Sequence, residues 1–171
     1  MVANASLKRF KHHDALKSII LDNINSDPAV SVEDDEMSIS NYDWESRQDD
    51  TRPWVKIIQP YLQEHFNQCA RSEDCECAYI HDLWFQQYIK SDTHPWHVHS
   101  ANFTGVYYLQ FPKGSSATQV IDHSKKTFDI DAKEGDIIVF PSFFIHRSPP
   151  IEHDVVKTII SFNIDFCDVS F

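Results

Sequence analysis

From residue 78 to the end, the chain loses helical periodicity and breaks into short aromatic and β-branched runs. Residues 78–88, 104–111, 118–121, 127–130, 136–140 and 155–166 each read as a strand bounded by turn residues. Short strands with no helical pattern between them predict an antiparallel barrel or a double-sheet jelly roll. The N-terminal part has a different rhythm. Leu7, Phe10, Leu16, Ile19, Ile20 and Ile24 predict an amphipathic helix over 5–24, interrupted near His12 and His13 and closed by Asp27-Pro28. Residues 28–52 are polar, with Glu33-Asp34-Asp35-Glu36 at their centre, and read as a loop carrying solvated charge. A second helix is predicted over 53–70, with Pro53 in its first turn and Pro60 expected to weaken or kink it. Trp44 and Trp54 read as packing between these helices and the barrel. The expected fold is mainly β, a single domain over 1–171, in which a helical part (1–77) packs on a jelly-roll core (78–171).

The last predicted strand constrains the interior. Side chains alternate in a strand, so Val156, Thr158, Ile160, Phe162, Ile164 and Phe166 share one face. Lys157, Ile159, Ser161, Asn163 and Asp165 share the other. A mostly polar face inside a small barrel needs partners: a ligand, a metal or water.

Lys plus Arg is 15 and Asp plus Glu is 26, a formal net charge of −11. That excess of acid argues against nucleic acid and anionic membranes, which reward clustered cations. No apolar run is long enough to span a bilayer. Three glycines leave no glycine-rich phosphate loop, and no G-x-S-x-G nucleophile elbow occurs. The first ten residues have no apolar stretch ahead of a cleavage site. Cys69, Cys75, Cys77 and Cys167 lack zinc-finger spacing and read as reduced thiols, so a cytoplasmic protein is expected.

The histidines carry the chemistry. Trp96-His97-Val98-His99 in a strand points both imidazoles the same way, so they can converge on one ion. The block Gly135-Asp-Ile-Ile-Val-Phe-Pro-Ser142 reads as turn, buried strand and turn, with His146 entering the next strand. A jelly roll can bring His146 beside the first pair. Three imidazoles on one ion leave open positions for substrate or oxygen. His94, His123 and His153 lie near turns and are expected to be exposed, whereas His65 and His81 carry no motif. Trp84 and Gln86 alternate on one face of the first long strand and are expected near the cavity mouth. One of Tyr107 and Tyr108 should face the cavity.

Residues 96–109, 135–142, His146 and Thr158-Ile-Ile-Ser-Phe-Asn163 together resemble the small 2-oxoglutarate/Fe(II)-dependent oxygenases of marine bacteria and their phages. Asp82-Leu-Trp84 and the Trp54 helix fit the same layout, and the resemblance covers residues 40–167. It implies a double-stranded β-helix, ferrous iron, and oxidation of a substrate by molecular oxygen coupled to decarboxylation of 2-oxoglutarate. By position, His97 resembles the first metal histidine and His146 the distal one. Lys157 falls where such enzymes keep a cation for the far carboxylate of 2-oxoglutarate. Tyr107, Tyr108, Ser161 and Asn163 are further candidates to contact the co-substrate or the groups around it.

Two features depart from that pattern. The usual H-x-D/E is His97-Val98-His99, so either His99 is the third ligand or a carboxylate arrives from elsewhere, Asp122 being a candidate. A lysine also replaces the arginine common in relatives, a point charge instead of a bidentate fork. The same histidines resemble the cupins, whose motifs are close to H-x-H followed by G-x5-P-x4-H. Phe103 and Thr104 stand where the cupin glutamate is usual. A cupin-like metal protein that does not use 2-oxoglutarate is therefore the second reading.

Overall fold

The computed structural model describes residues 5–121 and 124–168. Asp122 and His123 lie outside the described residues. The described residues form twelve strands and two α-helices. The strands are β1 (Ser6–Arg9), β2 (Val32–Glu33), β3 (Ser38–Ile39), β4 (Asn41–Tyr42), β5 (Cys77–Tyr88) and β6 (His94–His97), followed by β7 (Phe103–Gln110), β8 (Gln119–Ile121), β9 (Thr127–Asp129), β10 (Asp136–Pro141), β11 (His146–Ser148) and β12 (Lys157–Cys167). The helices are α1 (His13–Ser26) and α2 (Pro53–Ser72). A six-stranded sheet runs β1-β10-β7-β12-β5-β4, and a four-stranded sheet runs β6-β11-β8-β9.

The long strands alternate between two cores. Leu83 and Phe85, Tyr107 and Leu109, Ile137 and Val139, and Ile160, Phe162 and Ile164 pack toward Ile20, Trp54, Ile58, Leu62 and Phe66 of the helices. Their neighbours Val106, Tyr108, Ile138, Phe140 and Ile159 pack on Val120, Phe144 and Ile151. The large sheet is thus apolar on both faces, with helices on one side and the small sheet on the other. The alternation expected for β12 holds. Lys157, Ser161 and Asn163 are buried on the inner face, where each finds a polar partner.

Two local expectations change. The predicted helix over 5–24 begins only at His13, because Ser6–Arg9 pairs antiparallel with β10. The turn that permits this uses Gly135, whose carbonyl accepts the Phe10 N–H at 2.9 Å and whose own N–H donates to Tyr108 at 2.8 Å. Gly135 has φ +90°, and a Cβ there would meet the Arg9 guanidinium. The 28–52 segment is not one loop. It holds the β2–β3 hairpin and β4, which extends the large sheet by pairing with β5. Pro60 does not end α2. Pro60 and Lys56, whose carbonyl loses its helical donor, both lie on the exposed face, where solvent can replace the bond. Trp54 packs as expected, edge-on to Phe85 at 6.0 Å between ring centres. Among the described residues, no helix is long and apolar enough to cross a membrane.

Candidate metal centre

The two histidine motifs meet because β6 and β11 are antiparallel neighbours with His97 and His146 as direct register partners. Their ring centres lie 4.3 Å apart. His97 ends β6, and His99 follows the strand without belonging to it. Its N–H donates to the Ser142 carbonyl at 3.0 Å, and this bond folds the chain back toward the cluster. Ring centres of His99 lie 5.0 Å from His97 and 5.1 Å from His146. One ligand atom from each of His97, His99 and His146 lies within 4.8 Å of the other two.

Backbone carbonyls orient two of the rings. His97 Nδ1 lies 2.7 Å from the Pro95 carbonyl, and His146 Nδ1 lies 2.8 Å from the Phe144 carbonyl. A carbonyl accepts only, so Nδ1 carries the proton and Nε2 keeps its lone pair for the site. Burial holds the imidazoles neutral. It lowers His146 to about 3 and His99 to about 4, helped by the neighbouring imidazoles, and it lowers His97 as well. Metal ligands must be deprotonated, so the set fits a divalent ion without a proton to displace. Two nitrogens bonded to one ion at about 2.1 Å lie at most roughly 4.2 Å apart, so the rings need only small adjustments.

His94, expected to be exposed, belongs to this cluster. It is half-buried, stacks on His97 with ring centres 4.1 Å apart, and is lowered to about 3 by burial and by His97, His99 and Lys157. Its register partner is Ser148, two residues past His146. The signal was in plain view: His94, His97 and His99 fall within six residues. His153 is exposed as expected. His81 is exposed and bonds Asp165 at 2.7 Å.

The candidates on β12 lie around the same interior. Lys157 is 1% exposed, and its Nζ donates to Ser148 Oγ at 2.6 Å and to the Ser116 carbonyl at 3.0 Å. It sits 4.6 Å from the centre of the Tyr88 ring, and burial lowers its pKa to about 7. Ser161 donates to Gln86 at 3.0 Å, and Asn163 donates to Asp82 at 2.8 Å. Among the described residues, the buried Asn163 Oδ1 has no partner. Asp82, ion-paired to Arg47 at 3.4 Å, lies close enough to raise the His99 pKa by its charge. The sequence marked it only as part of the Asp82-Leu-Trp84 block, with nothing to set it beside His99.

The tyrosine pair separates. Tyr108 is on the inner face, its hydroxyl donating to Thr118 at 2.8 Å, and burial raises it to about 12. Tyr107 is a correction. It packs on the helix side, its hydroxyl 2.7 Å from His13 Nδ1, and the sheet separates it from the histidines. Strand alternation permits only one of two adjacent residues to face inward.

A cavity of about 310 Å³ opens on the histidines, with Trp84 and Gln86 in its wall as expected. Trp44 is there too, edge-to-face on Trp84 at 4.8 Å, and not between helices and barrel as the sequence suggested. Met37 and Ile39 of the β2–β3 hairpin complete one side. Asp92 fixes that hairpin by accepting bonds from the hydroxyls of Ser38 and Ser40 and the Ser40 N–H, and it also accepts from the Ile89 N–H after β5.

No family model matches the sequence, and no curated protein matches it. Solved structures do match over 94% of this chain. A 2OG-Fe(II) oxygenase-family oxidoreductase from Burkholderia pseudomallei is 11% identical with a TM-score of 0.72, covering 84% of that protein. The viral collagen prolyl hydroxylase of Paramecium bursaria Chlorella virus-1, solved with 2-oxoglutarate, is 13% identical with a TM-score of 0.68 over 95% of its length. HygX from Streptomyces hygroscopicus, solved with nickel and 2-oxoglutarate, is 7% identical with a TM-score of 0.69 over 82% of its length. The chain has the jelly-roll fold of these oxygenases.

Proposed function

We propose that this protein is a non-haem Fe(II)- and 2-oxoglutarate-dependent oxygenase that hydroxylates a substrate held in the cavity beside its histidines. The observation that carries the reading is the meeting of His97, His99 and His146 within 4.8 Å, in a fold shared with such oxygenases. These three residues would hold the iron. Bound iron and 2-oxoglutarate would supply oxidising power from molecular oxygen, coupled to decarboxylation of the co-substrate.

The chain's own residues account for binding and shielding. Lys157 is the cation for the far carboxylate of 2-oxoglutarate. Its burial makes the charged form costly alone, and an incoming carboxylate restores that form by pairing with it. Ser148, which already accepts from Lys157, holds the ammonium in place. Tyr108, tied to Thr118, closes the inner wall. Ser161 fixes Gln86 at the cavity, and Asn163 fixes Asp82 near His99. Trp44 and Trp84 cover the entrance and exclude water from the reacting centre.

Anaerobic addition of Fe(II) and then 2-oxoglutarate tests this directly. A metal-to-ligand charge-transfer band is expected, absent in His97→Ala and His146→Ala. Iron binding with no spectral response to 2-oxoglutarate would reject the co-substrate. That result would select the second reading, a cupin-like metal protein. This reading has one specific support: two of the Lys157 donors are already engaged within the protein.

A further inference from the structure

The walls of the cavity limit what can reach the histidines. Besides Gln86 and imidazoles, it is lined by Met37, Ile39, Tyr42, Trp44, Trp84 and Val98. Among the described residues, no carboxylate, ammonium or guanidinium lines it. The larger groove of about 480 Å³ is the reverse case, with Arg47, Asp50, Arg52 and Asp82 on its walls and none of the clustered histidines.

A charged group entering the smaller cavity would lose its water and gain no countercharge from these walls, because Asp82, whose charge reaches His99, is already paired with Arg47. A cation fares worst, because the Arg47 guanidinium lies 4.1 Å from the Trp44 ring centre and a loaded metal adds positive charge. An anion would compete with the co-substrate for the metal instead of occupying the apolar wall. Aromatic rings and thioether reward apolar contact. About 310 Å³ is near the low end for ligand sites, roughly 300–1,000 Å³, and part of it serves the metal. That leaves room for one side chain, not for a fused-ring scaffold.

We propose that the reacting end of the substrate is an uncharged, apolar group about the size of one amino-acid side chain, seated against Trp44, Trp84 and Met37. This deepens the oxygenase reading and rests on it. Protein loaded with Zn(II) and 2-oxoglutarate, which cannot turn over, is titrated with N-acetyl-leucinamide, N-acetyl-phenylalaninamide, N-acetyl-lysinamide and N-acetyl-aspartamide. Binding is read by saturation-transfer NMR and tryptophan fluorescence.

The two apolar probes should bind at least tenfold more tightly than the charged ones. Met37→Lys, on the half-buried hairpin, should weaken the apolar probes several-fold and improve binding of the aspartamide. Equal or tighter binding of a charged probe overturns the proposal, as does a Met37→Lys variant with unchanged order. Calorimetry of 2-oxoglutarate on the same Zn(II) protein separates the two failures. With co-substrate bound and no apolar preference, the substrate class alone falls. With no co-substrate binding, the oxygenase reading falls and takes this one with it.

Discussion

His97 and His146 face each other across the β6–β11 pair, direct register partners with ring centres 4.3 Å apart. Removing either imidazole takes away one of the three proposed ligands and opens a hole in the wall of the site. His97→Ala and His146→Ala should each lose Fe(II) affinity by more than the roughly 10–100-fold that loss of an outer partner costs. His99→Asp, which restores a carboxylate to the set, should keep iron bound. Equilibrium dialysis with metal analysis checks all three.

Lys157 should couple stability to pH. Burial holds its folded pKa at about 7 against an ordinary value of 10.5. Between those values the unfolded chain binds a proton that the folded chain does not, so this residue's contribution to stability rises with pH from 7 to 10.5 and is lowest below 7. Lys157→Met removes that slope. Urea melts at pH 6.5 and 9.5 should show the variant ahead at the lower pH by roughly a few kcal/mol, a margin that shrinks at the higher pH. The same variant should bind 2-oxoglutarate more weakly.

His65 sets an acid limb. It is buried on α2, its Nε2 has no partner among the described residues, and burial followed by Lys8 and Lys11 lowers its pKa to about 4. Above pH 6.5 both states are neutral and the residue has no effect. As pH falls toward 4 the unfolded chain takes up a proton first, and stability is lost. In His65→Leu the fall between pH 6.5 and 4 should be shallower by calorimetry.

Gly105→Ala should be among the costliest single changes. An added Cβ would lie 1.9 Å from the Ile138 carbonyl oxygen and 2.6 Å from Phe162 Cζ, at the centre of the large sheet. Overpacking of this kind costs roughly 3 kcal/mol, read as a lowered denaturation midpoint.

Asp92→Ala cuts three hydrogen bonds to Ser38 and Ser40 that fix the β2–β3 hairpin, and a fourth from the Ile89 N–H. With Met37 and Ile39 loosened, binding of an apolar probe should weaken while Fe(II) affinity stays unchanged. Loss of iron binding would show that the hairpin supports the whole site, not its entrance.

The β core was legible because Tyr107, Tyr108, Ile159 and Ile160 alternate regularly, and alternation is a local property. The convergence of His97 and His146 was expected from the jelly roll and from the positions these histidines share with the family they resemble. Other features were not. Ser6–Arg9 reads as helix by its own pattern and becomes a strand only because β10 offers an unpaired edge. Trp44 has the size and polarity of a packing residue, and only the pairing of β4 with β5 sets it at the cavity. His94 looked like a turn residue because Pro95 follows it. Asp82 gains its place near His99 from the β5–β12 pairing that opposes it to Asn163.

The carbonyls of Pro95 and Phe144 each stand two residues before the histidine they grip. His97 and His146 therefore take their aim from their own strands, before any ion arrives, and neither ring can swivel without breaking that tether. His99 makes no such bond among the described residues and rests instead on ring contacts with His146 and Trp84, which leaves a claw with two tethered fingers and a third without that tether. Cations of different radius would be accommodated by that third finger, and departure of a bound cation would begin there.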